Sequence, residues 1–198
     1  MGFLGKVPNL PVLRESIRNL YFHVCMWMSM MTFFIISVYY AIKYLLKPLP
    51  KYDLISFEFA RIGFVYGILG LITGSVWANY TWGEPWSNDP KQVGALISLM
   101  IYTSYFLLRN SILQPNKKAK LSAVFNIFSF AMLFPSIWII PRLVESLHPG
   151  GMGNPAMNTS DVDINMRIVF YPAIIAWTLL GVWIASLRIR ISNLQNKI

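Results

Sequence analysis

Charged residues are scarce in this chain of 198 residues. Asp, Glu, Lys and Arg make up 13% of it, and 56% of its residues are apolar or aromatic, whereas a soluble domain usually carries about 25% charged residues. A water-soluble globule is therefore disfavoured. The apolar residues come in blocks of about 20, a length that crosses a hydrocarbon layer about 30 Å thick. The composition predicts a multi-span helical membrane protein.

The chain also has little cysteine and no strict alternation of apolar and polar residues along its apolar segments. Cys25 is the single cysteine, which excludes an intrachain disulfide framework and any multi-thiolate metal site or iron–sulfur cluster. Continuous apolar runs such as residues 33–36 exclude a transmembrane β-barrel, whose strands alternate apolar and polar residues. The middle of each predicted span lacks charged residues and histidine, so a proton-coupled pump is disfavoured.

Sequence patterns of several enzyme classes are missing as well. The chain contains no G-x-x-x-x-G-K-[ST] loop for a nucleotide, no H-E-x-x-H metal helix and no G-x-S-x-G nucleophile elbow. Asp89 and Glu84 could form a carboxylate pair for acid–base chemistry, but both are expected in a hydrated loop without desolvation. The sequence therefore favours a non-enzymatic role.

Five apolar segments are predicted to span the membrane, which makes the fold all-α and polytopic, with residues 1–198 as one transmembrane domain. The predicted spans are residues 21–46, 57–80, 93–108, 121–140 and 168–187. Two loops on one side, residues 77–92 and 141–167, hold most of the informative polar and aromatic residues.

The basic residues indicate the orientation of these spans. Of the 17 Lys and Arg residues, 11 lie on one side with two acidic residues, and six lie on the other side with six acidic residues. Because Lys and Arg accumulate in short cytoplasmic loops, the side with 11 is predicted to be cytoplasmic, with the N-terminus outside. Anionic lipid accounts for the formal net charge of +9, so no nucleic acid partner is needed.

The chain has two histidines, His23 and His148, and the predicted topology places both on the outer side. Imidazole nitrogens ligate metals, and haem iron accepts one or two of them as axial ligands. A pair of histidines from separate segments could hold an iron between them. The alternative is that each is an interfacial histidine that binds nothing.

Tryptophans are concentrated in the first outer loop. Trp77, Trp82 and Trp86 lie there together with the turn residue Gly83. Tryptophan is enriched at membrane interfaces, and this explanation suffices for Trp77. Trp82 and Trp86 lie beyond the predicted span, where a flat aromatic ligand such as haem would account for them. Three cations could neutralise carboxylates at the edge of such a ligand: Lys91, Arg142 and Arg18.

These residues resemble a known family. The stretch Thr73-Gly74-Ser75-Val76-Trp77, followed by Trp82-Gly83-x-x-Trp86-x-x-Asp89, resembles the tryptophan-rich outer-loop signature of haem-handling membrane proteins, which include the C component of bacterial cytochrome c maturation. Tyr21-Phe22-His23-Val24 and Leu147-His148-Pro-Gly resemble the segments that carry the two axial histidines of that family. The matches run in the family's order from about residue 17 to the end of the chain.

The resemblance implies a haem carrier rather than an enzyme. It implies one non-covalent b-type haem at the outer face of the bacterial inner membrane, in a shallow site facing the periplasm. His23 and His148 would be the axial ligands of the haem iron. The remaining haem-binding residues would be Trp77, Trp82, Gly83, Trp86 and Asp89.

The resemblance also implies partners for cytochrome c biogenesis. These are a periplasmic haem chaperone that receives the haem, the ATPase and membrane subunits of an ABC-type complex, and a small membrane accessory subunit. The chain departs from the family pattern at Asn88, where a tryptophan is usual, and at Val93, where a threonine is usual. The usual C component also has a sixth span, ahead of the segment that holds His23.

Two other functions stay open at this point. One is a membrane-bound electron carrier that uses a b-type haem, although such a protein usually has histidines within its spans. The other is a structural membrane subunit without haem, whose tryptophans serve only as anchors.

Overall fold

The computed structural model describes residues 5–9, 13–148 and 162–195, and all regular structure within them is helical. A 3₁₀ helix, Arg14–Tyr21, leads into α1. The helices are α1 (His23–Leu46), α2 (Pro50–Trp82), α3 (Pro90–Ser111), α4 (Pro115–Phe134), a π-helical segment (Pro135–Ile139), α5 (Ile140–Leu143) and α6 (Ile164–Gln195). Within the described residues, five helical stretches are long and apolar enough to span a membrane, which confirms the predicted all-α fold with five spans.

The helices extend further than the predicted spans. α2 continues to Trp82, so part of the predicted outer loop 77–92 is helical and only residues 83–89 connect α2 to α3. Gly83 ends α2 in the left-handed conformation, with φ of 87°, which glycine adopts at little cost. The predicted second outer loop, residues 141–167, overlaps α5 at its start and α6 at its end, and residues 149–161 within it lie outside the described part of the chain.

A stripe of glycines on α2 provides the close contact between α1 and α2. Four glycines recur at helical spacing, and a Cβ atom added to any of them would lie within 3.0 Å of an α1 side chain. Small residues let two membrane helices approach closely and gain van der Waals contact, because lipid supplies no hydrophobic force between them. The four contacts are Gly63 with Phe34, Gly67 with Met30, Gly70 with Trp27 and Gly74 with His23.

Helices α1 to α4 form a four-helix ring, because each contacts the next and α4 returns to α1, while α6 packs outside it against α1 and α2. Far from His23, α1 and α4 meet through a small cluster that includes Ala41 and Ala123. Asn126 on α4 also donates its side-chain amide to Ser37 Oγ at 2.7 Å. These contacts hold α1 and α4 together in the half of the bundle remote from His23.

Two ion pairs join different helices at the end of the bundle where α1 ends and α2 begins. Arg109 on α3 makes two hydrogen bonds of 2.7 Å to the Asp53 carboxylate on α2. The buried Glu58 of α2 accepts a hydrogen bond from Arg188 of α6 at 2.5 Å. Both acidic residues therefore bind cations, which compensates for their removal from water. We call this the basic end of the bundle and the opposite end the histidine end.

At the histidine end, α4 continues as a π-helical segment that begins at Pro135. Proline lacks the amide hydrogen of a regular helix and disturbs the helix that contains it. Gly94 of α3 lies against this segment, and a Cβ atom there would be 2.0 Å from the Ser136 carbonyl oxygen. The absence of a side chain at Gly94 therefore allows α3 and the π-helical segment to pack closely.

We expect Gly94→Ala to destabilise the protein by about 1 to 3 kcal/mol, because the added methyl group must push the Ser136 carbonyl away from α3. Thermal unfolding in detergent measures this as a lower midpoint. Ser104→Ala, on the exposed face of the same helix, is the control and should leave the midpoint near that of the wild type. An unchanged midpoint for Gly94→Ala would contradict the close approach.

Candidate functional site

A cavity that is partly open to its surroundings lies at the histidine end of the helix ring. Its lining comes from α1, α2, α3, the π-helical segment and the chain after α5. Most of the lining is apolar, and both histidines belong to it. The lining residues are His23, Val24, Trp27, Met28, Met30, Met31, Leu71, Gly74, Ser75, Lys91, Gln92, Ala95, Ile137, Trp138 and His148.

His23 is the first residue of α1, and its ring is oriented by α2. The Nδ1 atom lies 2.8 Å from the Gly70 carbonyl oxygen, and because a carbonyl oxygen only accepts, Nδ1 carries the hydrogen. In the neutral ring the lone pair is then on Nε2, the nitrogen available to a metal. The ring also occupies the space beside Gly74, where a Cβ would be 2.6 Å from its Cε1 atom.

His148 lies in the chain that follows α5, and its ring is oriented by Asp89. The His148 Nδ1 atom is 2.8 Å from Asp89 Oδ1. A carboxylate only accepts, so Nδ1 carries the hydrogen and the Nε2 lone pair of the neutral ring is again available to a ligand. A carboxylate behind a histidine is the usual arrangement that orients a metal-binding imidazole and raises its basicity.

The Asp89 carboxylate is fully buried and joins the start of α3 to the chain around His148. Its Oδ1 accepts hydrogen bonds from the Lys91 backbone N–H at 2.9 Å and from His148, and its Oδ2 accepts from Ser146 Oγ at 2.8 Å and the Leu147 backbone N–H at 2.7 Å. Burial raises the pKa of Asp89, but the hydrogen bonds that its carboxylate accepts from His148, Lys91 and Ser146 outweigh this effect and hold the pKa well below its ordinary value.

The expectation that Asp89 and Glu84 share a hydrated loop is therefore wrong for Asp89. Asp89 is 3% exposed, whereas Glu84 is exposed. The difference arises because Asp89 caps the N-terminus of α3, where backbone N–H groups favour a carboxylate. Asn88, just before it, has φ of 56°, a left-handed conformation that asparagine tolerates. This conformation bends the chain immediately before the capping residue Asp89, at the position where the family pattern has a tryptophan.

Two of the three predicted tryptophans lie beside His148. Trp82 meets the His148 ring edge to face, with centroids 4.9 Å apart, and Trp77 lies 6.2 Å from the same ring. Trp86 instead donates from Nε1 to Asn88 Oδ1 at 2.8 Å. None of these three tryptophans is among the cavity-lining residues. Gly83 does not line the cavity either; it ends α2 and reverses the chain toward Asp89.

Two further tryptophans, Trp27 and Trp138, line the cavity. Neither was predicted from the sequence as a site residue. Trp27 lies one turn after His23, and residues four apart share a helix face, so its position could have been predicted. Trp138 comes from the π-helical segment, and Pro135 within an apolar span was the available signal of a local distortion. The Trp138 indole Nε1 atom is buried and has no hydrogen-bond partner among the described residues.

Of the three predicted cations, Lys91 lines the cavity. The Arg142 guanidinium lies 5.4 Å from the centre of the Trp138 ring, so it is one side chain removed from the cavity. Arg18 donates to Glu15 Oε2 at 2.6 Å in the 3₁₀ helix and does not line the cavity.

The protein can offer two ligands to a metal in this cavity but not a complete set. In the described part of the chain, no three His, Cys, Asp or Glu side chains form a metal-binding group. A metal held here by His23 and His148 needs its other ligands from a bound molecule. A porphyrin supplies four nitrogen ligands in a plane and leaves two axial positions for histidine.

We expect Asp89→Asn to lower the free energy of unfolding by about 3 kcal/mol at pH 7, because the amide group turns donors toward groups that themselves donate. The folded-state pKa of Asp89 lies below the unfolded value of 3.8, so the carboxylate stabilises the protein above about pH 4 and loses this effect as the pH falls. Free energies of unfolding measured at pH 7 and pH 3 should differ less between wild type and Asp89→Asn at pH 3 than at pH 7.

Glu84→Gln serves as the control, since it removes an exposed carboxylate from the same loop, and its unfolding should follow the wild type at both pH values. If the difference in free energy of unfolding between wild type and Asp89→Asn is the same at both pH values, the assignment of the low pKa to Asp89 is contradicted.

Comparisons with known proteins identify the same part of the chain. The family described as "Cytochrome C assembly protein" matches residues 11–148, a range that contains both histidines and the segment from Trp77 to Asp89. The relatives named "Cytochrome c biogenesis protein CcsA" include one from Prochlorococcus marinus (strain MIT 9215), 43% identical over 83 residues, which cover 39% of this chain and 27% of the relative.

Plant and algal relatives bear the same name. CcsA of Lobularia maritima is 30% identical over 108 residues, covering 54% of this chain and 32% of the relative, and CcsA of Cyanidium caldarium is 46% identical over 55 residues, covering 28% and 19%. The matches thus cover at most about a third of each of these relatives.

The family match extends over most of the chain and confirms the resemblance drawn from its residues: the chain belongs to the cytochrome c assembly protein family.

Proposed function

We propose that the cavity holds one b-type haem, with His23 and His148 as axial ligands of its iron, and that the protein presents this haem for cytochrome c biogenesis. The observation that carries the proposal is that two histidines from separate elements line one cavity, each with Nδ1 bound to an acceptor and Nε2 left to ligate. Family membership supports a role in cytochrome c biogenesis.

The surroundings of the histidines suit this ligand. The lining is largely apolar, as a macrocycle requires, with Trp27 and Trp138 as flat aromatic surfaces. Lys91 at the cavity wall supplies a positive charge, which complements haem carboxylates. Haem would contribute its iron and four equatorial nitrogens, and the protein would supply the axial ligands and the enclosure.

The two ligands differ in how they are held, and this suits a carrier that must release its cargo. His23 belongs to a long helix and bonds to the backbone of another. His148 lies outside the helices and depends on side-chain hydrogen bonds centred on Asp89. We infer that His148 is the ligand that detaches when haem leaves.

We further propose that the histidine end faces the periplasm of a bacterial inner membrane and that a periplasmic haem chaperone receives the haem, with ABC-type subunits and a small membrane subunit as partners. The charge distribution supports this orientation, because the loops at the opposite end carry the excess of Lys and Arg. Trp86, Gly83 and the exposed surface around them lie at the histidine end, where such a chaperone would approach.

We expect the detergent-purified protein, produced with an adequate haem supply, to show the visible spectrum of six-coordinate, low-spin haem. His23→Gly and His148→Gly should each lose this spectrum, because each removes one axial ligand. Added imidazole should restore it in part by entering the space vacated by the ring, which shows that the variants remain folded. Trp86→Phe, outside the cavity, is the control and should keep the spectrum.

A folded wild type that binds no haem would contradict the proposal and favour the structural subunit. Transfer is measured by mixing the haem-loaded protein with an apo haem chaperone and following the spectrum of each after separation. Haem that stays on the protein but cycles between oxidation states with quinol would instead favour the electron carrier.

We expect Gly74→Ala to weaken haem binding by about tenfold or more, because the methyl group would occupy the space of the His23 ring, whose Cε1 lies 2.6 Å from the added atom. Haem titration followed by absorbance measures the affinity. Gly63→Ala is the matched control, since it crowds Phe34 on the same helix pair but lies outside the cavity lining. Equal affinities for the two variants would contradict the role of Gly74.

A further inference from the structure

The cavity wall has a break between α1 and the π-helical segment. Around the cavity, α1 contacts α2, α2 contacts α3, and α3 contacts the π-helical segment, but no Cα atom of Pro135–Ile139 lies within 8 Å of one in α1. Toward the basic end, by contrast, α1 and α4 are packed together. Among these described segments, α1 thus packs on α4 toward the basic end but has no comparably close backbone contact with Pro135–Ile139 beside the cavity.

Side chains along this break are apolar and partly exposed. Val24, Met28 and Met31 lie at i, i+4 and i+7 on α1, and Ile137 lies in the π-helical segment. All four line the cavity and are half-buried. Methionine is unbranched and adapts its shape readily. We call these residues the α1–π seam.

The depth of the seam places it within the membrane. Met31 is eight residues beyond His23 on a helix that qualifies as a membrane span, so at about 1.5 Å per residue the seam reaches about 12 Å along the helix axis. A hydrocarbon core is about 30 Å thick. The seam therefore faces the half of the core nearest the histidine end, and an opening there leads to lipid rather than to water.

We propose that the α1–π seam is a lateral portal through which haem passes between the outer leaflet of the bilayer and the cavity. This inference rests on the proposed function and adds the route and the source of the ligand: a planar, largely apolar molecule dissolved in the membrane. The π-helical segment keeps the portal open, because Pro135 and the close contact of Gly94 with Ser136 draw this part of α4 toward α3 and away from α1.

Loading from membranes tests the portal. The full-length protein is reconstituted into phosphatidylcholine vesicles and mixed with vesicles that carry haem, and binding is followed by absorbance. Met28→Trp narrows the seam and should slow loading from vesicles by about tenfold relative to the wild type, a larger effect than on loading of the same variant with haem added in detergent, where no membrane route is needed. Met100→Trp is the matched control, because Met100 is 60% exposed on α3 and lies outside the cavity; it should load at the wild-type rate.

A spin label on Met28→Cys, in a Cys25→Ala background, tests the seam without relying on haem. The label should be relaxed more by lipid-soluble oxygen than by a water-soluble nickel chelate, and added haem should protect it from oxygen. A label on Met100→Cys provides the lipid-exposed reference. Accessibility to the nickel chelate above that to oxygen would overturn the portal in favour of an aqueous route.

The outcomes separate the portal from the proposed function. Equal loading rates for Met28→Trp, Met100→Trp and wild type would overturn the portal and leave haem binding intact. A wild type without the low-spin spectrum would overturn the proposed function, while the spin labels would still report whether the seam opens to lipid.

Discussion

The close packing of α1 on the glycine stripe of α2 is the constraint on which the candidate site depends. Without side chains at Gly70 and Gly74, the two helices approach until the α1 side chains fill the space, and the last of these is His23. The same approach brings the Gly70 carbonyl to the imidazole and sets its tautomer. One packing arrangement thus joins α1 to α2 and orients the His23 ring, the proposed iron ligand.

A second constraint operates at the histidine end through Asp89. Its carboxylate caps α3 and also accepts hydrogen bonds from the chain around His148. A buried carboxylate with four donors is stable only when all of them are present, so the start of α3 and the second histidine hold each other in place. The candidate site therefore combines a histidine held on a helix with one held by a polar network, the difference on which the proposed release of haem rests.

The location of the cavity differs from the shallow loop site that the resemblance implied. The cavity lies between the ends of membrane helices, with Trp27 and Met30 from α1 and Trp138 from the π-helical segment in its wall. Trp77 and Trp82 are helical and lie beside His148. A site so placed lies beside the hydrocarbon layer as well as near the membrane surface, and this location is the basis of the proposed lateral route.

The sequence alone determined the all-α class, the number of spans and the family, and it singled out the two histidines that line the cavity. Each of these follows from local composition, length or a short motif. The ends of α2 and the burial of Asp89 were not predictable in this way, since a cap reveals itself only when donors such as Leu147, distant in sequence, come to it. The tertiary structure decided that Trp138 joins Trp27 in one cavity while Trp86 does not. Membership of a cavity depends on how helices cross, and that is set by side-chain packing between segments far apart in the chain.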